Sequence, residues 1–155
     1  MKPIVHAIAG TLALIVVATF FLSTLVAEMF FDRATIAEVK RAIAYGIALL
    51  VPLMAMTGGT GHSLSRDRRG AAVERKKTRM RFIALNGLFI LAPAAIYLHL
   101  KASANAFDGL FIGVQVLELV AGTVQLTLLG MNFRDGMTLG RRVKRSAVLN
   151  HPSAT

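Results

Sequence analysis

Polar and apolar positions in this chain alternate on the scale of whole helices. No charged residue occurs in the 25 positions from Pro3 to Ala27, none between Ala42 and Leu64, none in the 19 from Phe82 to Leu100, and only Glu118 between Gly109 and Phe133. At about 1.5 Å of helical rise per residue, these runs reach across a hydrocarbon core of about 30 Å, the 19-residue one only just. The pattern predicts an all-α polytopic membrane protein, an antiparallel four-helix bundle with spans over 3–27, 42–64, 82–100 and 109–133. These spans form one domain, residues 1–133, and residues 134–155 follow as a basic, mobile cytoplasmic tail.

Local signals refine the boundaries. Span 1 follows a base, as a secretory signal does, but it exceeds the usual apolar region of about 7 to 15 residues, and Leu25 and Ala27 make a poor small-x-small cleavage site. It is therefore read as an uncleaved helix. Thr35 and Glu38 have capping-box spacing, which starts helix 2 near Ile36, outside the bilayer. Pro52 predicts a kink, and the GGTG run at 58–61 predicts the end of helix 2. Asp108 is placed to cap span 4.

Composition agrees with this class: 55% of residues are hydrophobic and the mean hydropathy is +0.60. The formal net charge of +10 would suggest nucleic acid in a soluble protein. Here the bases flank apolar spans and lack interleaved aromatics, so the expected partners are the lipid bilayer and its anionic phospholipid headgroups, with no nucleic acid. Eight of the eighteen Lys and Arg residues fall between Arg66 and Arg81. Arg66, Arg68, Arg69, Arg75, Lys76 and Lys77 are the expected headgroup contacts. Counting bases by side gives 14 at the two termini and the central stretch against 4 in the other two connections, Lys40 among them. The positive-inside rule then places both termini in the cytoplasm and the protein in a bacterial inner membrane. No cysteine is present, which excludes thiolate catalysis and sulfur-ligated metal.

Glu118 is the most informative residue. It lies nine residues beyond Gly109, about 14 Å into its span, where a carboxyl must be paired, protonated or turned to a polar cavity. Gln115 and Gln125 share its helical face. Measured from the basic end, Tyr97 and His99 lie at a similar height on span 3 and are its expected partners, giving an intramembrane polar cluster of Glu118, Gln115, Gln125, Tyr97 and His99.

His6 and His62 stand at equal depth in spans 1 and 2, the arrangement that ligates a haem b between two helices, with the nearby glycines leaving room for the ring. An interfacial position with one wet edge is the plainer reading. GGTGHS lacks the Lys-Ser/Thr ending of a nucleotide loop. The methionines at 54, 56, 131 and 137 are not gathered with histidines, so they read as packing, and no metal site is expected. No hydrolytic constellation is present. Gly109 and Gly113 form a GxxxG pattern that suits a homo-oligomer, another membrane protein partner or packing within the chain.

At Arg79 to Ala95 (RMRFIALNGLFILAPAA) and Val114 to Gly136 (VQVLELVAGTVQLTLLGMNFRDG) the chain resembles a group of small, uncharacterised four-span bacterial inner-membrane proteins. The resemblance includes the glycine-rich turn and covers most of the chain. It implies the four-span fold and brings no activity with it. Its members often carry an aromatic residue where His62 stands, so a haem site is not implied for the group. The reading that follows is a non-enzymatic accessory or interaction subunit held by a polar clasp at Glu118. A haem b electron-transfer protein using His6 and His62 is one alternative, and a small proton-coupled carrier using Glu118 is the other.

Overall fold

In a computed structural model the described residues are 2–65 and 71–149, with the side chains of 2, 3, 62, 64, 65, 71–73 and 139–149 left aside. The described residues are helical throughout, apart from two short connections, with no strand. The helices are α1 (Lys2–Phe30), α2 (Arg33–Ser65), α3 (Ala71–Asn86), α4 (Ala92–Ser103) and α5 (Gly109–Leu149), and a π-helical turn, Gly87–Leu91, joins α3 to α4. Four segments are long and apolar enough to cross a membrane: Ile4–Phe30, Arg33–Gly61, Glu74–Ser103 and Gly109–Thr138. In lipid every backbone donor and acceptor must be met within the segment, so runs of this composition form helices.

The first connection is shorter than the sequence suggested. Asp32, not Thr35, caps α2: its Oδ1 accepts the Thr35 backbone N–H at 2.9 Å. Helix α2 therefore begins at Arg33, three residues before Ile36, and Lys40 lies about 10 Å along it rather than in a loop. The expected break at Gly58–Gly61 is also absent, since α2 runs on to Ser65. Neighbouring contacts account for the last of these glycines, Gly61. A Cβ on Gly61 would lie 2.8 Å from Met80 Cε and 3.1 Å from His6 Cε1, so a bare backbone is what lets α1 and α3 approach.

The second connection closes with a Schellman motif. Asn105 takes a positive φ of 53°, the Ala106 N–H reaches the Lys101 carbonyl at 2.9 Å, and the Asn105 N–H reaches that of Ala102 at 3.0 Å. Asp108 then caps α5 as expected, accepting the Phe111 N–H at 2.9 Å, and its other oxygen bonds Lys101 Nζ at 2.5 Å. Beyond Phe133, where a mobile tail was expected, α5 continues to Leu149.

Span 3 is interrupted where the sequence showed only Pro93. Proline has no N–H, and its ring crowds the carbonyl four residues back, here that of Phe89. The backbone widens just upstream instead, and the Ala92 N–H bonds the Gly87 carbonyl.

Packing separates two apolar layers. Near the two short connections, Ala27, Ile36, Leu98, Ala102 and Phe111 form one core. Towards the basic end, Val17, Ile83 and Leu129 form another. Small residues of α1 at four-residue spacing, Ala9, Ala13 and Val17, are buried, while Ile4, Ile8, Leu12 and Ile15 face outward, as a lipid-facing surface requires.

A buried ion pair at the closed end of a cleft

Between the two apolar layers lies a charge pair. Lys40 Nζ of α2 meets Glu118 Oε2 of α5 at 2.6 Å, and the Lys40 side chain is only 1% exposed. Gln115, one helical turn before Glu118, directs Nε2 to the same oxygen at 3.3 Å. Glu28 of α1 is within electrostatic reach of both charges, and its Oε1 is buried without a hydrogen-bond partner among the described residues. Three helices thus contribute ionisable groups to one layer. A buried ammonium without its carboxylate, or the reverse, would leave an uncompensated charge at a cost of about 3–5 kcal/mol.

The partner of Glu118 is therefore Lys40, in place of the Tyr97 or His99 anticipated from the sequence. His99 bonds within its own helix, Nδ1 standing 3.3 Å from Ser103 Oγ, and its ring lies 6.1 Å from that of Tyr45 on α2. Tyr97 instead faces Lys101, whose Nζ is 5.9 Å from the ring centroid. Gln125, expected in the Glu118 strip, serves a different neighbour. Its Oε1 accepts from Asn86 Nδ2 at 2.9 Å and its Nε2 donates to the Ile83 carbonyl at 3.2 Å, while Asn86 also donates to the Ala121 carbonyl at 3.0 Å. This second clasp ties α3 to α5 just below the π turn.

A cleft of about 1940 Å³ runs from the basic end towards the ion pair, with α1 and α2 on one side and α3 and α5 on the other. Glu118, Thr24, Ile43 and Ala95 are among its innermost lining residues, and the connection-side core lies beyond them. Bases from α3 stand at its mouth, including Arg75, Lys76, Arg79 and Arg81. Of the expected headgroup contacts, Lys77 pairs with Glu74 at 3.0 Å, whereas Arg66, Arg68 and Arg69 lie outside the described residues.

His6 lines the same cleft. Its Nδ1 is 3.1 Å from the Thr57 carbonyl oxygen and 3.2 Å from Thr60 Oγ1; because a carbonyl only accepts, the first bond requires the proton on Nδ1. That leaves Nε2 as the ring nitrogen able to ligate a metal. The side chain of His62, the other candidate haem ligand, lies outside those described. No cluster of three or more metal-ligating side chains occurs among the described residues.

No family model, curated protein or solved structure matches the chain.

Proposed function

We propose that this is a non-enzymatic protein of the bacterial inner membrane, with both termini cytoplasmic, that acts as an accessory or interaction subunit. In this reading the Lys40–Glu118 pair is the clasp that fixes its bundle. The observation that carries the reading is that pair itself: it joins the first half of the chain to the second across 78 positions and spends the most deeply placed carboxylate on a helix-to-helix bond. The 14-to-4 distribution of bases supports the orientation. The test is a charge exchange. Lys40→Glu and Glu118→Lys, each alone, lower the abundance and thermal stability of the detergent-purified protein, and the two together restore much of both. Failure of the double variant to recover would count against the clasp.

A second reading, a small proton-coupled carrier, is favoured by one observation: Glu118 faces the cleft as well as Lys40. Glu28 stands in the same layer, its Oε1 without a hydrogen-bond partner among the described residues, so a second carboxyl is at hand beside the pair. In proteoliposomes, Glu118→Gln that folds normally but abolishes proton flux would favour the carrier; unchanged flux would favour the clasp.

A further inference from the structure

Two polar atoms at the cleft mouth are buried without a hydrogen-bond partner among the described residues: Nη1 of Arg79, a donor, and Oδ1 of Asn132, an acceptor. Both residues line the cleft, one from α3 and one from α5. Arg79 is anchored from its other arm, Nη2 donating to Asp135 Oδ2 at 2.9 Å, so the guanidinium is held in place with its second arm unused. Buried donors and acceptors are rarely left unmet, least of all charged ones, so a donor and an acceptor lining one cleft form a contact point for a bound group.

The chemistry of that group can be read from what is missing. Nη1 of a charged guanidinium calls for an anionic acceptor, and phosphate oxygen is the one it recognises best. Oδ1 of Asn132 calls for a hydroxyl or N–H donor, and the bases Arg75, Lys76 and Arg81 in the same lining favour a neutral hydroxyl over an ammonium. Further in, the walls are apolar, with Val17, Phe20, Leu50 and Met54 among them. The volume of about 1940 Å³ exceeds the roughly 300–1,000 Å³ of a drug-sized pocket, so the occupant has long chains as well as a head. We infer that the cleft is a specific site for one anionic glycerophospholipid bearing a hydroxylated headgroup, phosphatidylglycerol. Arg79 Nη1 donates to its phosphate, Asn132 Oδ1 accepts from its glycerol hydroxyl, and the acyl chains lie between α1–α2 and α3–α5. The site rests on the membrane placement proposed above but not on the clasp, and either can fail without the other.

Titrating the detergent-solubilised full chain with phosphatidylglycerol, phosphatidylethanolamine or phosphatidic acid, and reading bound lipid by native mass spectrometry, tests the site. One phosphatidylglycerol binds about tenfold more tightly than phosphatidylethanolamine, which has the same phosphate but brings an ammonium up to the bases Arg75, Lys76 and Arg81. Arg79→Gln weakens phosphatidylglycerol binding about tenfold, the scale of one charged hydrogen bond, while Arg134→Gln, the same change of charge on an exposed neighbour outside the cleft, leaves it unchanged. Asn132→Leu narrows the preference for phosphatidylglycerol over phosphatidic acid, which lacks the second glycerol. Equal binding of phosphatidylglycerol and phosphatidylethanolamine by the unmodified protein overturns the site, and so does an equal loss in the Arg79 and Arg134 variants, which would reveal diffuse attraction only. Displacement of the lipid by inorganic phosphate at matched concentration would show a free-anion site instead and overturn the lipid. Should Arg79→Gln fail to fold, the unmodified protein and Asn132→Leu still decide.

Discussion

Lys40 Nζ and Glu118 Oε2 are 2.6 Å apart, yet 78 residues separate them, and among the described residues neither has a second full charge bonded to it. Their mutual dependence sets the first expectation. Lys40→Met or Glu118→Leu alone destabilises the protein by about 3–5 kcal/mol, whereas the double apolar replacement regains most of the loss, because desolvation of the pair offsets much of its attraction. Thermal unfolding in detergent measures all three variants, and independent, additive losses would show that the two charges do not depend on each other.

The Asn86–Gln125 clasp is expected to be weaker. Polar contacts between helices in membranes are worth about 0.6–2 kcal/mol, so Gln125→Leu should lower stability by that order, with a coupling to Asn86→Leu visible in a double-mutant cycle. Additive single losses would assign the cost of Gln125→Leu to its bond with the Ile83 carbonyl instead.

Two glycines of α2 should respond oppositely to alanine. A Cβ on Gly46 runs into the ring of Phe20, while one on Gly59 meets nothing within 4 Å. Gly46→Ala is expected to lower the melting temperature, and Gly59→Ala to raise stability by about 1 kcal/mol through helix propensity alone. Measuring the two side by side separates helix contact from backbone preference.

The α4–α5 connection carries a pH dependence of known sign. Lys101 beside Asp108, together with the Phe111 N–H, holds the Asp108 carboxyl below the usual carboxylate range. A lowered folded value means the stabilisation is fully present above the ordinary Asp value of about 3.9 and is lost as pH falls from there through the folded value. Asp108→Asn should therefore lower stability at neutral pH and flatten the acid limb of a melting-temperature profile. An unchanged acid limb would count against the Lys101–Asp108 link.

How much of this was legible beforehand depends on which residues carried the signal. Four spans, the Asp108 cap and the burial of Glu118 follow from charge-free runs and one isolated acid. Lys40 did not announce itself, because capping-box spacing at Thr35 and Glu38 drew the start of α2 later than Asp32 sets it and left Lys40 counted as a loop base. The height match of Tyr97 and His99 to Glu118 assumed an unbroken span, and the turn at Gly87–Leu91 adds backbone that a 3.6-residue period cannot show. Asn86 was visible as a lone amide in an apolar run, the signal that could have placed the second clasp. Arg79 was hidden in a crowd of like charges, and its bond to Asp135 together with its unmet Nη1 distinguishes it.

The π turn also divides the labour of the third span. On one side of it α3 carries Arg79 and the bases of the cleft mouth; on the other α4 contributes Ala95 to the cleft's inner end and Leu98 to the sealing core. Backbone at such a turn lacks the regular i to i−4 ladder, so it is the point of least resistance along the span. One span thereby serves as two struts: its basic-end half is bolted to α5 through Asn86 and Arg79, while its other half helps to close the core beside the short connections.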